Sequence, residues 1–417
     1  MITRLEVSNF KSFKHISIDL KKFNVIIGSN ASGKSNFVQI FQFIRDIIQD
    51  GLENAIQMQG GVEYLQNMKI KNSEPLSIKI YLTHTFGILP VKNLEGIEIS
   101  DFIYEFMLKF YENDYKIIHE SITLYYKIIK YKSIKPFVKD KIINEGSILI
   151  ERKNEKIIVE YDKEKLLLNN LLEPVLSIYD KFKDSAIDKG FNKLLLISMP
   201  FSILLTPLDD YLRKIAIYNF DSKVIKKVSS ISGKAELEED GSNISIILRK
   251  ILKSDEKRKM LFNLIKDILP FIDDINVEKI ADRSLLLKIK ETYFSDELLP
   301  ASLLSDGTIN IVTLIIALYF EEKSILIFEE PERNIHPYLI SKITDYMKEA
   351  SQHKQILITT HNPEFVKYAN IDNLILISRD DSGFSKVYRP VDREELKEFL
   401  ESDIGIDELF IHNILEV

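Results

Sequence analysis

The segment Gly28–Ser35, GSNASGKS, constrains the fold more than any other stretch of the chain. It has the form GxxxxGK(S/T). An apolar run, NVII, precedes it, and SNFVQIFQFIRDIIQ follows with apolar residues at helical period. Strand, glycine-containing turn and helix in that order suit a loop whose backbone N–H groups turn inward at the positive end of a helix, which makes a cradle for phosphate. Gly28, Ser29, Asn30, Ala31, Ser32 and Gly33 would line it, with Asn36 just beyond. Lys34 would neutralise the terminal phosphates, and Ser35 would offer an oxygen to magnesium. The competing reading is a merely structural glycine turn, and the placement between strand and helix favours the phosphate.

The C-terminal part repeats the alternation of apolar runs and helices. LLSDGTINIVTLIIALYF, SILIFEE, YLISKITDYMKEA and QILITTH read as loop and long apolar helix, strand, helix, strand. This order predicts a parallel sheet with helical crossovers, an α/β fold. The run SILIFEEPERNIHP ends in adjacent acids, Glu329 and Glu330. At the phosphate edge of such a sheet Glu329 can reach magnesium, and Glu330 can orient the water that attacks the γ-phosphate of ATP. An isolated pair of glutamates would simply be a solvated loop; the phosphate cradle changes that balance. His361 ends the next apolar run, where it can contact the γ-phosphate or that water, or serve only as a cap. His336 reads as a turn or interface residue, not a zinc ligand. Lys34, Glu330 and His361 are the catalytic candidates, and Ser35 and Glu329 the metal candidates.

Elsewhere ITRLEVSNF and ISIDLKKFNVIIGS predict two strands joined by a turn. Leu76 to about Tyr131 is rich in Ile and Tyr and predicts a largely antiparallel β lobe. Residues 132–215 hold a candidate hairpin, GSILIERKNEKIIVEYD, and a mixed helical stretch around KEKLLLNNLLEPVLSIYDKF. They read as an inserted, mainly mixed α/β subdomain. Residues 1–131 and 216–417 then form the two parts of one nucleotide-binding unit. Two further helices are expected at Asn243–Leu252 and Glu256–Leu269, then a strand in RSLLLKIKE.

The chain has 417 residues and 45% hydrophobic composition, ample for a core. With 56 Lys and Arg against 63 Asp and Glu, its net charge of -7 gives no global attraction to nucleic acid. It has no cysteine, in keeping with a reducing compartment. The longest apolar stretches have twelve residues, short of a membrane span, and the N-terminus lacks a signal-peptide core, so a cytoplasmic location without membrane contact is expected.

VSNFKSFK, GSNASGKSN, LLSDGT, ILIFEEPERNIHP and ITTHNPEF, in that order, resemble ABC-type ATPases of the SMC, RecF and OLD-like group. The similarity is strongest to compact prokaryotic AAA-family ATPases of the AAA_21 type, and covers both ends of the chain better than the middle. It implies an ABC-type P-loop NTPase head that uses ATP and Mg2+, with its signature loop, Ser305 and Gly307, presented to the γ-phosphate held by a second copy. On residues alone LSDG reads first as a helix cap. The resemblance further implies an ATP-sandwiched homodimer whose switching controls a separate effector protein, DNA-directed or acting in phage defence. Glu329 stands where many relatives have Asp, and Asn334 and His336 are candidates for crossing between heads. Gln57, Gln59 and Gln66 compete for the metal-linking glutamine.

The alternatives are a nucleotide-gated scaffold with little turnover and, against the opening VSNFKSF, a transporter motor. The tail after His361 is too short for a nuclease and predicts a strand and a helix. Direct DNA contact would fall to the lysine cluster Lys127–Lys141, which equally suits a charged surface.

Overall fold

The structure, a computed structural model, describes residues 1–92, 94–111, 114–134, 137–153, 156–161, 194, 202–280, 283–294, 297–392 and 408. In chain order the elements are β1 (Ile2–Phe10), β2 (Phe13–Asp19), β3 (Phe23–Ile27), α1 (Lys34–Asp50), α2 (Leu52–Met58), α3 (Val62–Leu65), β4 (Leu76–Lys92), β5 (Glu95–Tyr111), β6 (Asp114–Ile134), β7 (Phe137–Lys153) and β8 (Lys156–Tyr161). Then come α4 (Ser202–Arg213), β9 (Ile215–Tyr218), α5 (Ser222–Ile225), β10 (Ser229–Ser230), α6 (Ile244–Ile251), α7 (Asp255–Ile268), β11 (Ile272–Ile280), β12 (Ser284–Glu291) and β13 (Leu299–Pro300). The last are α8 (Asp306–Tyr319), β14 (Ile325–Glu329), α9 (Pro337–Ala350), β15 (Gln355–Thr359), α10 (Pro363–Ala369), β16 (Leu374–Arg379) and β17 (Ser385–Tyr388). The chain divides into two compact units: Met1–Lys21, Gln39–Lys214 and Ser378–Val387 make one, and Lys22–Val38, Ile215–Ile377 and Tyr388–Val417 the other.

The first unit is built on a seven-stranded sheet in the order β2-β1-β4-β5-β6-β7-β8. Every pairing in it is antiparallel. Alternation drives it: along β5 and β6, Phe102, Tyr104, Phe106, Leu108, Leu124, Tyr126 and Ile128 are buried while intervening residues are more open. Tyr126 lies opposite Gly146, where an added Cβ would come within 2.5 Å of its hydroxyl, so the glycine gives the ring its place over the strand. The antiparallel lobe and the β7–β8 hairpin are as expected. β6 runs through the boundary expected at residue 132, and β7 and β8 continue the same sheet. Of the rest of the expected insertion, α4 and the first residue of β9 are described, whereas the helical stretch at 163–182 lies outside the described residues, as does nearly all of the helix expected after β17.

The second unit carries five parallel strands in the order β16-β3-β15-β14-β9. β3, β9 and β15 are buried at every position, the mark of parallel strands covered on both faces. A smaller antiparallel sheet, β10-β12-β11 with β13 on β12, belongs to the same unit. α8 is buried along nearly its whole length from Thr308 to Leu318, so its apolar sequence reflects core placement. α6 and α7 match the two helices expected there within a residue or so at each end. Because the five strands are parallel, β3, β14 and β15 deliver their C-terminal turns to one edge. That edge is where open α/β sheets bind ligands.

Candidate functional site

The phosphate turn leaves β3 at Gly28. A side chain there is impossible, since a Cβ would sit 2.1 Å from the Ile377 carbonyl oxygen. Ala31 and Gly33 have φ of 63° and 120°, so the loop curls tightly before α1 begins. Ser29, Asn30 and Ala31 face solvent, whereas Gly28, Ser32 and Gly33 are buried. The amide of Phe37 donates to Gly33 O at 2.9 Å, closing the first helical turn beneath Asn36. Lys34 Nζ donates to the carbonyls of Gly28 and Ser29 at 2.7 and 3.0 Å. The ammonium thus lies folded over its own loop, where a phosphate could replace those carbonyls as its acceptor.

β14 and β15 are in register with Glu329 opposite Thr359, and Thr359 opposite Ile26 of β3, so the three strand ends form one row. Ser35 Oγ lies 3.3 Å from Glu329 Oε2. Burial raises the Glu329 carboxyl above its ordinary range, with the Ser35 hydrogen bond opposing. A hydroxyl beside a half-buried carboxylate is a hard-oxygen pair and fits magnesium, which takes one or two carboxylates and completes its shell with phosphate and water. Among the described residues there is no cluster of three His, Cys, Asp or Glu that could hold a metal ion.

Glu330 adopts φ 47°, a left-handed conformation that costs a non-glycine residue about 1–2 kcal/mol. Its amide donates to Thr359 O at 2.9 Å, which anchors that turn. Both carboxylate oxygens are engaged: His361 Nδ1 lies 2.8 Å from Oε1, and Arg333 Nη2 donates to Oε2 at 2.9 Å. Burial pushes this carboxyl up, but the Arg333 hydrogen bond and the His361 and Arg333 charges outweigh it and hold the group below its ordinary value. Glu330 is therefore an ionised acceptor, suited to orienting water.

Ser305 caps α8, accepting from the Thr308 amide at 3.0 Å, and Asp306 is ion-paired with Lys226, whose hydrogen bond lowers the acid's pKa. Gly307 touches the turn after β14: a Cβ there would meet Asn334 O at 2.5 Å. Asn310 Nδ2 donates to Arg333 O at 2.8 Å, so α8 and the 331–336 turn are tied together within one chain. His336 caps α9, its Nδ1 accepting from the Tyr338 amide at 3.2 Å.

Gln59 and Gln66 are buried and Gln57 is exposed, all in the first unit, and none is singled out as the metal-linking residue. In the lysine cluster Lys139 pairs with Glu98 and Lys132 with Asp140, while Lys127 faces Glu145 across the strands. Arg333, Glu332 and Thr360 were not foreseen; the spacing of Arg333 three residues after Glu330 was the only local hint of their pairing.

Over 402 residues the chain is 22% identical to a protein of Helicobacter pylori named "ATP/GTP phosphatase", covering 91% of this chain and 93% of that one. Over 158 residues it is 25% identical to the "DNA replication and repair protein RecF" of Streptococcus pneumoniae, covering 36% of this chain and 43% of that protein. A solved structure titled "Crystal structure of the SmcHead bound to the C-winged helix domain of ScpA" aligns with a TM-score of 0.44 and 16% identity, covering 93% of this chain and 96% of that one. Residues 23–367, which include the phosphate turn, Glu329, Glu330 and His361, match the family model described as "AAA domain, putative AbiEii toxin, Type IV TA system", and the chain belongs to this AAA_21 family of ATP-hydrolysing enzymes.

Proposed function

We propose that this ATPase is a switch: two copies sandwich ATP, and hydrolysis releases them and so controls a separate effector protein. The observation that carries the reading is Glu330, its two carboxylate oxygens held by His361 and Arg333 at the end of β14, beside the Ser35–Glu329 pair. Lys34 and the backbone N–H groups of Gly28–Ser35 bind and neutralise the phosphates, and Asn36 continues the cradle. Ser35 and Glu329 hold magnesium, which when bound supplies charge neutralisation on the transferred phosphoryl group. Glu330 accepts a hydrogen bond from the attacking water and orients it in line, and His361 keeps that carboxylate aimed.

Ser305 and Gly307, at the positive end of α8, offer donors to the γ-phosphate on the other copy. Their attachment to the Asn334 turn supports a coupling between that contact and the Glu330 turn within each chain. A cytoplasmic setting fits the composition. The words toxin and TA system in the family description, and replication and repair in the RecF relative's name, support an effector acting on DNA or in defence. The second reading, a scaffold with little turnover, is weighed against by the phosphatase name of the Helicobacter pylori relative.

The test is mass in solution for wild type and Glu330→Gln, with and without Mg-ATP, with double-stranded DNA in a parallel sample. The switch predicts an ATP-dependent dimer that the variant traps. A mass indifferent to nucleotide would favour the scaffold, and a further DNA-bound species would make DNA a direct partner.

A further inference from the structure

We propose that Glu332 is a positioning residue for hydrolysis, tying the turn after β14 to the turn after β15 through Thr360 and so fixing His361 against Glu330. Glu332 is only 6% exposed although it lies in the polar stretch PERNIHP, and Thr360 is fully buried. The Thr360 hydroxyl donates to Glu332 Oε1. The same hydroxyl oxygen accepts from the Asn362 amide at 2.9 Å, which leaves its single hydrogen for the carboxyl. Asn362 then caps α10, accepting from the Glu364 amide at 2.9 Å. His361 lies between Thr360 and Asn362, so both neighbours of the imidazole are held by this relay.

On the other side Glu332 is part of the turn that carries Glu330. The Arg333 amide donates to Glu330 O at 3.1 Å, and the Ile335 amide to Glu332 O at 2.9 Å. Besides the Glu330 amide bond to Thr359 O, side chains of the two turns therefore pair at Glu330–His361 and at Glu332–Thr360. The second oxygen of Glu332, Oε2, is buried with no hydrogen-bond partner among the described residues. Leaving a buried oxygen unpaired is costly, and an apolar residue would fill the site without that cost. The bond to Thr360 is what the carboxyl makes there that an apolar side chain could not. Burial pushes the carboxyl up to about 7, with the negative Glu330 adding to the effect, so a protonated Oε2 is accessible near neutral pH. A neutral side chain that keeps one acceptor should therefore do the work of Glu332.

The inference rests on the hydrolytic role given to Glu330, so Glu330→Gln runs beside the test variants. Turnover, binding of a non-hydrolysable ATP analogue and the NMR signals of the His361 imidazole are measured for Glu332→Ala, Glu332→Gln, Thr360→Val and Thr360→Ser in the full chain. Glu332→Ala and Thr360→Val should each lower kcat by about tenfold or more, the scale seen when the orienting partner of a functional group is removed. Analogue affinity should stay close to wild type, the double variant should lose little more than either single one, and Glu332→Gln and Thr360→Ser should recover most of the rate. The His361 signals should move in the two damaging variants and return in the two conservative ones. Wild-type turnover in Glu332→Ala with unmoved His361 signals would overturn the proposal, as would parallel loss of analogue binding in all four variants. If Glu330→Gln itself turned over normally, the role of Glu330 would fail, and the His361 signals would still judge whether Glu332 positions that ring.

Discussion

Glu332 also makes folding sensitive to pH, and the effect has a definite sign. Its carboxyl is raised from an ordinary 4.5 to about 7, first by burial and further by the charge of Glu330, with the Thr360 hydrogen bond opposing. The folded chain therefore holds this proton more tightly than the unfolded chain does. The stability so gained is present in full below the unfolded value and is lost as pH rises through the folded one. Between pH 5 and pH 8 the linkage relation puts the loss at about 2 to 3 kcal/mol, an order-of-magnitude figure.

Other groups titrate across the same range, so the measurement is a difference between wild type and Glu332→Gln, which cannot ionise. Urea unfolding of both proteins at pH 5 and pH 8, followed by circular dichroism and tyrosine fluorescence so that coincident transitions can be checked, gives that difference. The variant should gain on wild type by about 2 kcal/mol or more on going from pH 5 to pH 8. Curves that shift in parallel, within about 0.5 kcal/mol, would refute the assignment of a buried carboxyl that prefers its proton. A gain in the opposite direction would mean that Glu332 is ionised in the fold and paired with a cation.

Two predictions concern the nucleotide. Lys34→Ala removes the ammonium that now spans Gly28 O and Ser29 O, and should weaken ATP binding by about tenfold or more, as expected for loss of charge-assisted hydrogen bonds; tight binding with turnover retained would sink the phosphate-turn assignment. For the signature loop, mixing a Ser305→Arg chain with a Lys34→Ala chain should restore one working composite site and measurable ATPase activity. Failure of verified mixed dimers to recover any activity would count against contact in trans.

What was legible in the sequence follows from range. Gly28–Ser35 and the strand ending at Glu329 declare themselves because a motif, the strand before it and the helix after it lie within a few dozen residues. The seven-stranded sheet was legible in kind because alternation is a local signal, but not in extent, since β7 and β8 join it past the expected boundary. Glu332 was not legible at all: it sits in a run of polar and turn-forming residues, and its side-chain partner Thr360 is 28 positions away. The conformation of Glu330 makes the same point more sharply. Positive φ is ordinarily given to glycine or asparagine, and a reader of local rules would place a glycine where the chain turns off β14. A glutamate stands there instead, because the Thr359 carbonyl on the next strand holds its amide and the Arg333 and His361 side chains hold its carboxylate. Where a local rule is broken and neighbouring strands supply the compensation, the exception marks the site more sharply than the rule marks the fold.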